Sequence, residues 1–127
     1  MLKIYGALAS PYSMKVRAAL RWLRLPHGWV QMGLEHLHVM ERVKPAVIPV
    51  VEFPDGSLAN DSTPLLLAFD KEAPAQRALL PEDPVARFLC LLIEDFADEW
   101  LTKVMFHYRW TAPIDQSVMS EAIVSTV

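Results

Sequence analysis

The chain has 127 residues, of which 53% are hydrophobic and 21% charged, and a formal net charge of −3. That length fits one compact domain plus an appendage, since single domains commonly run about 100–150 residues. The mildly acidic balance and the lack of any Lys/Arg cluster exclude a nucleic-acid footprint. Hydrophobic runs far shorter than the ~20 residues of a spanning helix predict a soluble protein without membrane contact.

In chain order, Leu2-Lys3-Ile4-Tyr5 reads as a short buried strand ended by Gly6. Ser10-Pro11-Tyr12-Ser13 then opens an amphipathic helix that runs to Leu25, with Val16, Ala19, Leu20 and Leu23 on one face. Pro26-His27-Gly28 stops the helix and Trp29-Val30-Gln31-Met32 follows as a second strand. A strand-helix-strand connection of this length predicts parallel pairing. Leu34 to Val43 is a weaker helix or irregular turn, and Val47 to Phe53 is strand-like but carries Pro49, which a central ladder does not accommodate without a reason. Pro54-Asp55-Gly56 signals a turn, and Ser57-Leu58-Ala59 pairs back antiparallel. Asp61 or Ser62 caps a third helix, with Pro64 in its first turn.

This order, β-α-β-α-β-β-α, predicts an α/β layered domain on a small mixed sheet over residues 1–75. A proline-punctuated linker, 76–83, precedes a helical region over 84–127. There Asp83 caps a long helix from Pro84 to about Trp110, and Asp115, with Ile114 and Met119 as a staple, caps a short terminal helix. The only cysteine, Cys90, lies in the apolar stretch Arg87 to Ile93, so no intrachain disulfide can form and a buried structural thiol is expected. That usage fits a reducing cytoplasm. His36 and His38 have no cysteine or acidic partner at ligand spacing, and no metal site is expected.

The chemistry concentrates at Ser10-Pro11-Tyr12-Ser13. A helix starting there directs free N–H groups and the positive end of its dipole at one spot, which favours an anion such as a thiolate. Cys-x-x-Cys at this place would be a redox pair, but serine occupies both positions, which rules against a thiol–disulfide oxidoreductase. The sulfur then has to come from a ligand. The plain alternative for Ser10 is an ordinary N-cap.

Taken together, Ser10-Pro11-Tyr12-Ser13-Met14-Lys15-Val16-Arg17-Ala18-Ala19-Leu20, Ile48-Pro49-Val50-Val51, Asp55-Gly56 and Asp61-Ser62 resemble the N-terminal domain of cytosolic glutathione transferases, over roughly residues 2 to 80. The resemblance implies a thioredoxin-like fold with glutathione as co-substrate and a small electrophile as acceptor. It implies Ser10 as the catalytic hydroxyl, with Tyr12 and Ser13 as alternatives. Ile48, before a cis Pro49, would offer its backbone to the cysteinyl part, as an edge strand does to an added one. Asp61 and Ser62 would receive the γ-glutamyl end, capping alone being the alternative role. The family's usual Asn-Pro-x-Gly is replaced by Val43-Lys44-Pro45-Ala46-Val47, and Lys44, His38 and Arg42 are charge-compatible partners for the glycyl carboxylate, a solvated surface position being the alternative for each.

A hydroxyl donating to the glutathione sulfur contributes about 1.5–3 kcal/mol and a helix dipole up to about 1 kcal/mol. Lowering a thiol pKa by about two units from ~8.5 needs about 3 kcal/mol, so no metal is required. The family's C-terminal domain is a bundle of several helices, of which this chain matches little beyond the first, so the region reads as truncated. Two functions remain: a glutathione-conjugating enzyme, or a non-catalytic glutathione-fold binding or interaction module. The apolar circumference of helix 84–110 predicts a homodimer at least.

Overall fold

The computed structural model describes residues 1–124, which divide into two compact units, Met1–Leu79 and a second that starts at Leu80. The first unit holds a four-stranded sheet in the order β2-β1-β3-β4, formed by β1 (Leu2–Gly6), β2 (His27–Gln31), β3 (Val50–Glu52) and β4 (Leu58–Asn60). β1 pairs parallel with β2, as the strand-helix-strand order requires, while β3 runs antiparallel to both β1 and β4. The helices are α1 (Pro11–Trp22), the four-residue α2 (Leu37–Met40) after a 3₁₀ turn at Leu34–His36, and α3 (Ser62–Lys71).

Strand periodicity sorts the core into two layers. Ile4 and Val51 face Val16, Leu20 and Leu23 of the α1 segment and Leu65 and Phe69 of α3. Their neighbours Tyr5 and Val50 face the other way, onto Val39 and Val43. The sheet therefore lies between α1 and α3 on one side and the short α2 segment on the other.

Helix α1 ends earlier than its apolar pattern suggests. Arg24 adopts φ +56°, and Leu25 N–H reaches back to Leu20 O at 2.9 Å, a left-handed terminal turn that closes the helix before Pro26. The end is clasped reciprocally: Trp22 Nε1 donates to Arg77 O (2.9 Å), and the Arg77 guanidinium donates to Trp22 O (2.8 Å).

In the second unit α4 (Pro84–Phe96) is capped by Asp83, whose Oδ1 accepts from Ala86 N–H at 2.8 Å. The expected single helix is interrupted by a π-helical turn over Ala97–Leu101 before α5 (Thr102–Thr111) resumes. Thr102 Oγ1 bonds back to the carbonyls of Ala97 (3.3 Å) and Asp98 (2.8 Å), the side-chain competition that loosens a regular ladder. α6 (Pro113–Val124) begins at Pro113. Asp115 therefore lies in its first turn and is not the cap, because proline's fixed φ makes it the better first helical residue. Residues 125–127 of the expected terminal segment lie outside the described residues.

Cys90 is exposed, contrary to the buried position expected from its apolar neighbours. The reason is general to this unit: α4, α5 and α6 contain no buried residue, so an apolar sequence neighbourhood does not translate into enclosure. Among the described residues no helix is long and apolar enough to cross a membrane.

Packing is close at Gly6, where an added Cβ would lie 2.8 Å from Ser13 Oγ, 2.9 Å from Ser13 Cβ and 2.9 Å from the Trp29 ring. Gly6→Ala is expected to destabilise the fold by about 1–3 kcal/mol, measured by urea unfolding.

Candidate functional site

The sheet register gathers the residues singled out by sequence. Tyr5 pairs with Val50 and Val50 with Asn60, forming one row across β1, β3 and β4. The residues just beyond that row therefore share one end of the sheet: the loop from β1 into Ser10, Ile48-Pro49 entering β3, and Asp61-Ser62 leaving β4. Each arrives there because a strand ends or begins at that row.

Ser10 is the N-cap of α1. Its Oγ accepts from Ser13 N–H at 3.2 Å, and its own N–H donates to Ala7 O at 3.0 Å. Capping uses the hydroxyl as an acceptor, so its proton remains available to a second acceptor. The cap therefore leaves the Ser10 hydroxyl able to donate. Ser13 differs: it is fully buried, and its Oγ accepts from Ala7 N–H at 3.3 Å, which fixes the loop leading into Ser10. Tyr12, in the first helical turn, is half-buried.

The Ile48–Pro49 peptide is cis, as the resemblance implies, and so is Lys44–Pro45, which sequence reading did not anticipate. Pro49 is fully buried and Ile48 half-buried. Asn60 holds the approach to this segment, donating from Nδ2 to the carbonyls of Pro45 and, at 3.5 Å, of Val47. Lys44 is exposed. His38 and Arg42 are exposed as well, but both have local roles: His38 Nδ1 meets Glu35 O at 3.0 Å, and Arg42 donates to Gly56 O at 3.2 Å, bracing the β3–β4 turn.

Asp61 occupies the N-cap position of α3 with φ +70° and ψ 120°, and its side chain accepts no helix N–H. A non-glycine residue held there costs about 1–3 kcal/mol, a cost found chiefly where function fixes the backbone. The capping role is therefore not what the Asp61 carboxylate performs. Ser62 is 4% exposed, and its Oγ accepts from Lys15 Nζ at 3.2 Å. The same ammonium donates to Thr63 Oγ1 at 3.2 Å, so α1 is tied to the start of α3. The sequence offered one clue to Lys15: a cation in the helix that carries the chemical motif, five residues after Ser10.

A charged cluster links β1 and β3. Glu52 accepts from Tyr5 Oη at 2.6 Å and from Lys3 Nζ at 3.0 Å. The Tyr5 hydroxyl and then the Lys3 ammonium hold the Glu52 carboxyl below the ordinary carboxylate range, while Glu52 raises the Tyr5 and Lys3 groups. A depressed folded-state pKa gives stability present above the unfolded value of about 4.3 and lost as pH falls through the folded one. Glu52→Gln is thus expected to lower stability at neutral pH and to flatten its decline below about pH 4.3, checked by urea unfolding between neutral and acid pH. Among the described residues no three His, Cys, Asp or Glu side chains are placed to hold a metal.

The profile of the glutathione S-transferase N-terminal domain matches residues 4–77, more than half of the chain. Several solved structures share the fold. A glutathione S-transferase from Methylobacillus flagellatus with glutathione bound is 25% identical, with a TM-score of 0.69 over 99% of this chain and 65% of the other. A diazinon-metabolizing glutathione S-transferase of the silkworm, Bombyx mori, is 21% identical, with a TM-score of 0.74 over 98% of this chain and 64% of that one. A glutathione transferase homolog from Sulfitobacter with bound glutathione is 19% identical, with a TM-score of 0.66 over 96% of this chain and 63% of its own length. The chain thus spans less than two thirds of each of these relatives. No curated protein matches it significantly. With a thioredoxin-like sheet, a capped Ser-Pro-Tyr-Ser helix start, a cis Ile48–Pro49 bond and a family profile over most of the first unit, the chain belongs to the glutathione S-transferase family.

Proposed function

We propose that the protein binds glutathione at this end of the sheet and activates its thiol for attack on a small electrophile. The observation that carries the reading is the row Tyr5–Val50–Asn60, which brings a helix N-cap hydroxyl, a strand entrance and a second helix start to one end of the sheet. In this reading the Ser10 proton, left over from capping, is donated to the glutathione sulfur, and the dipole of α1 favours the thiolate over the thiol. Ser13 is the less favoured alternative, because it is fully buried. Tyr12 is the alternative hydroxyl. Ile48 presents its backbone to the cysteinyl residue of the ligand. The N–H groups at the start of α3 and the Ser62 hydroxyl receive the γ-glutamyl carboxylate, and exposed Asp61 receives its ammonium. Lys44 is the available partner for the glycyl carboxylate. Thiolate attack on the electrophile forms the carbon–sulfur bond and expels the leaving group; no metal takes part.

Glutathione at millimolar concentration is expected to raise the melting temperature of the protein. Ser10→Ala is expected to lower kcat/KM with an aryl halide by about 10–100-fold, the worth of one charged hydrogen bond, and Ser13→Ala by much less. Folded protein that glutathione does not stabilise would remove the binding claim, and equal losses in the two variants would remove Ser10 from its role.

A second reading, a glutathione-binding module that acts through protein contact and not turnover, draws on the second unit. Phe88, Leu92, Phe96, Trp100 and Val104 are each about half exposed or more, an apolar surface beyond what monomers commonly leave in water. In both readings a second copy of the chain covers these residues, giving a homodimer, and the reducing cytoplasm suits a ligand thiol. Light scattering at micromolar concentration is expected to give twice the 14.4 kDa chain mass; Phe96→Asp is expected to shift it toward monomer.

A further inference from the structure

We propose that Asn60 is a positioning residue of the site, fixing the direction of the Ile48 N–H and with it the seat of the ligand's cysteinyl carbonyl; the inference rests on the glutathione reading above. Asn60 stands on the edge strand β4, opposite Val50 of β3 in the antiparallel ladder. Its side chain reaches the segment that precedes β3, where Nδ2 donates to Pro45 O and, at 3.5 Å, to Val47 O. A side-chain amide nitrogen carries two N–H donors, so one group serves both carbonyls. Pro45 O also accepts from Val47 N–H at 2.9 Å, which closes a three-residue turn around Ala46.

The consequence for Ile48 follows from the planarity of the peptide bond. The Val47–Ile48 peptide is trans, so its C=O and N–H lie in one plane and point in opposite directions. Holding Val47 O toward Asn60 therefore turns the Ile48 N–H away from the Asn60 amide. Among the described residues no acceptor takes that N–H, although Ile48 is half-buried. A backbone donor left unpaired at a strand entrance is what an extended ligand pairs with. Residues 44–47 are all exposed, so packing does not set the plane of this peptide; the hydrogen bonds to Asn60 do. Asn60 does not need to touch the ligand. It acts through the Val47–Ile48 peptide, with β4 as its anchor.

The test is calorimetric titration of wild type, Asn60→Asp and Asn60→Ala with glutathione and with two shorter thiols, γ-glutamylcysteinamide and γ-glutamylcysteamine, which differ only in that the second lacks the cysteinyl carboxamide. Asn60→Asp keeps the shape of the side chain but sets a carboxylate, which cannot donate, against both carbonyls. Wild type is expected to bind the carboxamide about tenfold more tightly than the thiol without it, the worth of one hydrogen bond. Asn60→Asp should weaken glutathione and the carboxamide about tenfold and leave γ-glutamylcysteamine unchanged; Asn60→Ala should show the same selectivity with a smaller loss. Equal weakening of all the ligands by Asn60→Asp marks a merely structural residue and overturns the proposal, as does no weakening of any. Should Asn60→Asp not fold, an undiminished preference for the carboxamide in Asn60→Ala overturns it, and so does wild type that binds glutathione but does not distinguish the two shorter thiols. Wild type that does not bind glutathione removes the glutathione reading itself and this inference with it, an outcome distinct from the others.

Discussion

The pairing of β1 with two neighbours of opposite direction is the constraint on which the first unit depends. Parallel pairing to β2 requires α1 as the crossover, and antiparallel pairing to β3 sets Tyr5 against Val50. A slip of one residue in that register would turn Ile4 and Val51 away from α1 and α3 and expose an entire apolar set. The same slip would separate the start of α1 from the strand entrance at Pro49. Core burial and site assembly are thus enforced by one set of hydrogen bonds, and the site inherits the stiffness of the sheet instead of depending on loops to find each other.

Charge is distributed unevenly across this frame. Glu52 gathers Tyr5 and Lys3 in a cluster whose members satisfy one another, stabilising the pairing of β1 with β3 at a partly exposed position. At the start of α3 the pattern is reversed. Lys15 donates to the Ser62 and Thr63 hydroxyls there, and the strained Asp61 backbone adds cost without giving a cap. A domain optimised for stability alone would place an acidic residue in that first turn; departures of this kind are where folded chains commonly carry function.

Much of the first unit was legible in the sequence because its signals are local. The apolar run at Leu2, the face formed by Val16, Ala19 and Leu20, and the Asp55-Gly56 turn each decide a single element, and the observed strands and helices match them closely. At the site, the Ser10 cap could be read from four consecutive residues. What escaped was tertiary. The bond from Lys15 to Ser62 spans 47 positions, and the φ of Asp61 depends on how β4 meets α3. The opposite error occurred at Cys90: apolar neighbours in sequence suggested enclosure, but burial requires a second surface, which α4 does not have among the described residues. The end of α1 was misplaced by three residues because Arg24, and not proline, closes it through a left-handed turn that few non-glycine residues adopt.

The clasp between Trp22 and Arg77 bears on how such a chain could change over generations. Two reciprocal hydrogen bonds fasten the last turns of the first unit to the end of α1, and Asp70 Oδ1 accepts from Leu79 N–H at its very edge. The sheet, its core and the donors at the start of α3 are therefore all closed off before Leu80. Recombination that exchanges, lengthens or shortens the chain from Leu80 onward therefore leaves the residues that build the first unit's sheet, its core and this clasp unchanged.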